Sequence, residues 1–297
     1  MKEILEIADR VTVLRDGATV GTREARQVTI DEIITMMVGR ELAARSANLE
    51  SEPGAVILDV KGLHTSKIED VSFELHRGEV LGIAGLVGAG KSELGAALFG
   101  LDRLKSGTIR LNDRDIRPAS PRQAIRAGFG LLPEDRKLEG LMMQMSVREN
   151  TTIAALSRFQ RLGFIEKEQE SKESEPIHRR ICLRAASDRV SVDTLSGGNQ
   201  QKVLFSKWLL VNPDVFFLDD PTRGIDVGGK QDLYHIIQEL TKQGKGIIFV
   251  SSELPELLQH CHRILVLCEG RCTGIVDARS ATQEQIMALA TAQSLTK

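Results

Sequence analysis

A lysine and a hydroxyl residue closing a glycine-rich stretch can grip a phosphate, and Gly85-Leu86-Val87-Gly88-Ala89-Gly90-Lys91-Ser92 has that form. It matches G-x-x-x-x-G-K-[ST], in which glycines let the backbone wrap an anion with its N–H groups, the lysine neutralises the outer phosphates and the hydroxyl ligates a divalent cation. Acids able to hold the same cation stand at Asp219 and Asp220, at the end of the apolar run Val215-Phe-Phe-Leu. Asp219 is the expected Mg²⁺ partner of Ser92, and Asp220 is where a nucleotide hydrolase would place the carboxylate that orients water. A third glycine-bearing segment, Leu195-Ser196-Gly197-Gly198-Asn199-Gln200-Gln-Lys202, precedes a helix containing Trp208 and offers a second helix N-terminus to an anion.

These groups need a scaffold that brings distant segments to one edge. The phosphate loop lies between an apolar strand, Val80 to Gly85, and a helix from Lys91. Further strands are expected at Val215 to Asp219 and Ile247 to Ser251, each followed by a helix, from Lys230 and from Pro255. Such alternation specifies a parallel sheet covered by helices, whose ligands bind at the carboxyl edge. Val56 to Leu75 and Gly107 to Leu111 resemble short strands of an attached antiparallel layer, and Val147 to Val190 reads as a helical subdomain, placed at about 141–200. The polar run Glu166 to Glu175 reads as a solvated helix face or loop.

Composition narrows the function. Lys and Arg number 39 against 41 Asp and Glu, so no excess positive field is available to hold nucleic acid. The longest apolar stretches, such as Val80 to Val87, fall well short of the ~20 residues needed to span a bilayer. Cys182, Cys261, Cys268 and Cys272 follow no secretory leader pattern and are expected as reduced thiols. Cys268, Cys272, His260 and His262 could suggest a metal site, but Arg263 to Cys268 patterns as a strand and Glu269-Gly270 as its turn.

The chain also repeats itself. Glu3 to Gly17 aligns without gaps on Glu256 to Gly270, an offset of 253 (256 minus 3), and both copies read helix end, Arg, apolar strand, acidic-Gly turn. Beyond Gly21 and Gly274 the match continues into Ile34 to Met37 and Ile286 to Leu289, at an expected offset of 252 after one shift. Residues 1–45 therefore read as the end of a first domain whose body would precede Met1. The small, polar stretch Ala43 to Gly54 reads as a linker, placed at 46–55, and 56–297 as a complete second domain.

Together the segment Leu195 to Lys202, the phosphate loop and the acidic pair resemble the ABC family, with the signature motif in the form found in monosaccharide importers. Leu132-Pro-Glu134-Asp-Arg-Lys-Leu-Glu-Gly140 is similar to that family's Q-loop, with Glu134 where many members have Gln; Pro221-Thr-Arg-Gly-Ile-Asp226 is similar to its D-loop; Ser251-Ser252-Glu-Leu-Pro-Glu covers its switch region. The resemblance implies a P-loop NTPase fold of the α/β class, with a RecA-like parallel core, an antiparallel β layer and a helical subdomain. It also implies ATP and Mg²⁺ as ligands, contacts to ATP from Gly85 to Ser92, Leu195 to Gln200 and Asp226, and catalytic roles for Asp220, Glu134 and Ser252. The expected setting is the cytoplasmic face of the inner membrane, on permease subunits served by a periplasmic sugar-binding protein. Each ATP of the family lies between the phosphate loop of one domain and the signature motif of another, so a complete first domain or a second copy is required.

Three departures bear on catalysis. Asp220 replaces the usual Glu, Ser252 stands where a switch His is usual, and no aromatic residue lies near His64 to Ile68 to stack on adenine. They leave open a hydrolysis-impaired or regulatory nucleotide-binding module. A soluble ABC protein of translation or DNA repair is disfavoured by the absence of a basic patch and by the transporter type of signature.

Overall fold

The structure is a computed structural model in which residues 2–15, 18–29, 32–33, 36 and 52–292 are described. Most of the expected linker, and Ile34 and Met37 of the repeat, lie outside those residues. The chain runs through α1 (Lys2–Ile7), β1 (Arg10–Arg15) and β2 (Ala18–Glu24), then β3 (Val56–His64), β4 (Val71–His76), β5 (Val80–Ala84), α2 (Lys91–Leu98), β6 (Ser106–Leu111) and β7 (Arg114–Ile116). Next come α3 (Pro121–Ala127), β8 (Phe129–Leu132), a π-helical turn at Arg136–Gly140, α4 (Val147–Thr152), the two-residue strands β9 (Gln160–Arg161) and β10 (Phe164–Ile165), and α5 (Lys167–Arg180). The rest comprises α6 (Gly197–Val211), β11 (Val215–Asp219), α7 (Val227–Lys242), β12 (Gly246–Val250), α8 (Leu254–His260), β13 (Arg263–Cys268), β14 (Arg271–Asp277) and α9 (Gln283–Ala290).

Two large sheets form the body of residues 56–277, beside the small β9–β10 hairpin. The larger has the order β14-β13-β5-β12-β11-β8, parallel throughout except for the terminal β13–β14 hairpin. Strands β5, β11 and β12 are buried at every position, which is why they read as unbroken apolar runs: a parallel strand is covered on both faces. The second sheet, β4-β3-β6-β7, is antiparallel, and β4 alternates buried and exposed positions as expected of a strand with one face on the core. One continuous apolar cluster joins both layers and the helices other than α1 and α5, with Phe216, Phe217 and Phe249 in the larger sheet and Trp208 edge-on to Phe99 at 5.7 Å.

The region expected to be helical is a mixture. Helices α4 and α5 are joined by a 3₁₀ segment, Ile153–Phe159, and by the β9–β10 hairpin. The charged run of α5 is not solvated all round. Glu170 and Ser174 are buried, and Glu170 accepts a hydrogen bond from Thr152 Oγ1 at 2.5 Å and lies 3.6 Å from the Arg148 guanidinium. Helix α7 begins three residues before the expected Lys230, because Asp226 caps it by accepting from Gly229 N at 2.7 Å.

The β1–β2 hairpin reproduces β13–β14 pair by pair. Arg10 pairs with Glu24 and Val13 with Gly21, as Arg263 pairs with Asp277 and Val266 with Gly274, and both ladders break at the same place, Val13/Leu14 and Val266/Leu267. After the hairpins, Ala25 N donates to Asp9 O and Ala278 N to His262 O, at 2.9 and 3.0 Å. Thr29 and Glu32 then form the same reciprocal bonds as Thr282 and Gln285. Met36 faces Gly21 as Leu289 faces Gly274. Among the described residues the offset stays at 253 as far as Met36, so the expected shift to 252 is not present there: the threonine cap fixes the register of the turn behind it. Val13, Val28 and Ile33 form a small core of their own.

Candidate functional site

Because β5, β12 and β11 are adjacent and parallel, their carboxyl ends place three loops side by side, with β5 and β11 about 10 Å apart. Asp219 is in register with Val250, and Val250 with Ile83. The phosphate loop, Ser251-Ser252 and Asp219-Asp220 are thereby brought to one edge from segments over a hundred residues apart.

The loop after β5 has little room. A Cβ at Gly85 would lie 2.6 Å from the Leu267 carbonyl, so only glycine allows β13 to pass so closely. Ala89 O accepts from Gly270 N at 2.9 Å and Gly270 O from Glu69 N at 2.8 Å, which ties the loop to the β13–β14 turn and to the segment expected near adenine. There Lys67 forms an ion pair with Glu93 at 3.2 Å. Leu86 and Val87 are exposed. Lys91 Nζ donates to the carbonyls of Gly85 and Leu86 at 2.7 and 2.9 Å, so the ammonium already lies across the mouth of the loop. Burial lowers the pKa of Lys91, while the Asp219 and Asp220 carboxylates pull it the other way.

Asp219 is buried, and burial pushes its pKa up to about 6, opposed by a hydrogen bond from Ser92 and reinforced by Asp220. The Asp220 pKa is also raised by burial, against hydrogen bonds from Ser252, with Glu256 and Glu253 adding to the rise. Asp220 has φ +42°, a left-handed backbone that Asp tolerates better than most side chains. Ser92 and Asp219, joined by a hydrogen bond, offer oxygen donors only, the chemistry that suits Mg²⁺.

The other expected residues have partners of their own. Glu134 is exposed and forms an ion pair with Arg223 in the loop after β11. Asp226 serves as the cap of α7. In the signature turn, Leu195 is half-buried and Ser196 exposed, and Asn199 bonds Ser196 Oγ and Arg184 N at 3.0 and 2.9 Å. Gln200 is buried and donates to the carbonyls of Val192 and Leu195, so it shapes the turn from inside. Gly197 and Gly198 begin α6 and pack against Gly224 and Gly229 respectively.

Sequence reasoning missed Glu256. Its carboxylate accepts from Thr222 Oγ1 at 2.9 Å, Ser251 Oγ at 2.8 Å and Lys230 Nζ at 2.7 Å, joining the loop after β11 to the end of β12 and to α7. Burial would raise its pKa, but the hydrogen bonds from Lys230, Ser251, Tyr234 and Thr222 outweigh it and the net shift is downward. In the sequence Glu256 stands only as the last residue of the switch-like segment and, through the repeat, opposite Glu3. Lys207 was also missed: its Nζ binds Gly140 O at 2.7 Å, fastening α6 to the π turn, and burial lowers its pKa to about 8.

The sequence profile of the ABC transporter family matches residues 68–223, more than half of the 297-residue chain. The chain belongs to the ABC transporter family. This ABC chain is 47% identical over 292 residues to the ribose import ATP-binding protein RbsA of Chromobacterium violaceum, a match covering 98% of the chain and 58% of that protein. It is 45% identical over 295 residues to the galactose/methyl galactoside import ATP-binding protein MglA of Clostridium tetani, again covering 98% of the chain and 58% of the relative. It thus spans little more than half the length of either relative. Among solved structures, an ATP-binding cassette of an ABC transporter in its ADP conformation superposes with a TM-score of 0.66 at 20% identity, over 81% of this chain and 97% of that one. At that identity the likeness bears on the fold, and it agrees with the ABC architecture expected from the sequence. Among the described residues no helix of the ABC chain is long and apolar enough to cross a membrane.

Proposed function

We propose that this ABC chain is an ATP-binding, energy-coupling part of a carbohydrate importer, in which ATP hydrolysis drives transport. The observation that carries the reading is the convergence of Lys91, Ser92, Asp219 and Asp220 at the carboxyl edge of one parallel sheet. In this reading Lys91 leaves the loop carbonyls for the β- and γ-phosphates, and the α2 N-terminus adds its partial positive charge. Ser92 and Asp219 would hold Mg²⁺, which would supply positive charge to neutralise that developing on the phosphates. Asp220, steadied by Ser252, orients the attacking water. Glu134 acts from the neighbouring loop through its pair with Arg223.

The matching ladders of β1–β2 and β13–β14 support residues 1–45 as the end of a first ATP-binding domain, 46–55 as linker and 56–297 as the second. One edge of β13 pairs with β5 through Arg263 to Val266, and the corresponding edge of β1, Arg10 to Val13, suits the phosphate-loop strand of a first domain. Names of the relatives support import of ribose or galactosides, hence permease subunits and a sugar-binding protein as partners, at the cytoplasmic membrane face.

The test is turnover by the purified chain with and without a complete first ATP-binding domain. Negligible hydrolysis alone and MgATP turnover with both supports the reading; no turnover in the combined protein, with ATP still bound, favours the hydrolysis-impaired alternative. Asp220→Glu refines it. The longer carboxylate is expected to raise kcat by up to ~10²-fold, since it restores a reach of more than ~1 Å, while the left-handed backbone costs the folded state about 1 kcal/mol. A kcat no higher than wild type would mean that Asp220 is not limited by its length.

A further inference from the structure

The Arg136 guanidinium joins three separate segments. Its Nη1 donates to the Arg223 carbonyl at 2.9 Å and its Nη2 to the Gly224 carbonyl at 3.4 Å, in the loop following the two aspartates. Its Nε reaches Gln200 Oε1, on the signature helix, at 3.5 Å. Arg136 itself opens the π turn behind Glu134, and Glu134 closes the circuit through its pair with the Arg223 side chain. The three segments pack closely here: a Cβ at Gly197 would stand 2.8 Å from Arg136 Nη2 and 3.2 Å from the Gly224 carbonyl.

We propose that Arg136 is a positioning residue that sets the 221–226 loop against the signature turn, holding the half-site built on Asp219 and Asp220 at a fixed spacing from the half-site built on Ser196 to Gly198. The inference rests on the ATPase reading. If each half-site works with a partner across a domain interface, an error in their spacing on this chain misaligns two composite sites at once. Three N–H groups of its guanidinium are engaged by carbonyl and amide oxygens of the chain, which fixes the plane of the fork. A planar fork of fixed N–H directions can span two successive carbonyls and a side-chain amide, whereas an ammonium on a flexible stem cannot hold all three in one plane.

The experiment measures steady-state ATPase of the assembled importer carrying Arg136→Ala, Arg136→Lys or Lys91→Ala. Misplacement of catalytic groups by about 1 Å is worth up to ~10²-fold in rate, so Arg136→Ala is expected to lower kcat by about tenfold or more, with KM for ATP within about twofold of wild type. Arg136→Lys recovers only part of the loss. In the isolated chain, ATP-induced stabilisation is the same for Arg136→Ala and wild type, while amide exchange at 222–226 quickens. Unchanged kcat, or a raised KM at unchanged kcat, overturns the proposal. Should the alanine variant fail to fold, Arg136→Lys decides, since kcat equal to wild type overturns the proposal equally. Lys91→Ala separates the two readings. Full turnover in that variant defeats the ATPase assignment itself, whereas an inactive Lys91→Ala beside fully active Arg136 variants defeats only the role of Arg136.

Discussion

Lys91→Ala is expected to abolish most of the stabilisation that ATP confers on this chain. The ammonium lies within 2.9 Å of two loop carbonyls and is already partly desolvated, so it has little further hydration to lose when phosphate takes their place. A hydrogen bond to a charged partner contributes about 1.5–3 kcal/mol, so losing it should weaken ATP binding roughly 10- to 150-fold. At a ligand concentration about 100 times the wild-type Kd, stabilisation would fall from about 2.7 kcal/mol to no more than about 1.4 kcal/mol. For a domain of this size that at least halves a Tm shift of roughly 5–10 °C. Thermal melts with and without MgATP measure it, and an ATP-induced shift equal to wild type would show that the loop at Gly85 to Ser92 does not hold the phosphates. The nucleotide-free fold should change little, because the two lost carbonyl contacts are offset by relief of a partly buried charge.

Asp219→Asn should have the opposite signature: a more stable nucleotide-free chain that cannot turn over ATP. Folding holds the Asp219 carboxyl at about 6, above its ordinary value of 3.8, chiefly through burial. Below pH ~4 the group is protonated in both folded and unfolded chains and imposes no penalty. Between pH ~4 and ~6 the folded chain keeps a proton that the unfolded chain releases, so the penalty grows with pH and is complete above ~6. At pH 7 it is on the order of 3 kcal/mol, and a neutral isostere removes it, raising Tm by roughly 5–10 °C. Melting curves at pH 4 and pH 7 check this: the advantage of Asp219→Asn should be present at pH 7 and vanish at pH 4. An equal advantage at both would trace it to packing. If Asp219 holds Mg²⁺ as proposed, turnover should fall to background in the same variant.

Much of the site could be read from the chain because its parts are local. The phosphate loop needs glycines at set spacings before a lysine, and the buried strands β5 and β11 appear as unbroken apolar runs ending in chemistry. The repeat was equally legible, and the hairpins show its register more simply than the alignment did, since Thr29 and Thr282 cap at the same offset as the strands. What escaped were single polar residues whose partners are remote. Glu256 lies 34 residues from Thr222, and Arg136 lies 64 from Gln200, so no local pattern marks either. The start of helix α7 is obscured for a related reason: Gly228 and Gly229 look like breakers until the Asp226 carboxylate is seen to cap them.

By itself the sequence determined which residues could bind phosphate and metal, the parallel α/β character of the body, and the twofold occurrence of one hairpin. Each depends on spacing along the chain, through glycine geometry or hydrophobic period. Only the tertiary structure decided which acid is buried enough to have its pKa raised to about 6, and how the 221–226 loop, the signature turn and the π turn meet at Arg136. Burial and hydrogen bonding between remote segments depend on how the sheet orders its strands. Here β5, β12 and β11 lie side by side although more than a hundred residues of chain separate β5 from β11, and that ordering makes one edge of them.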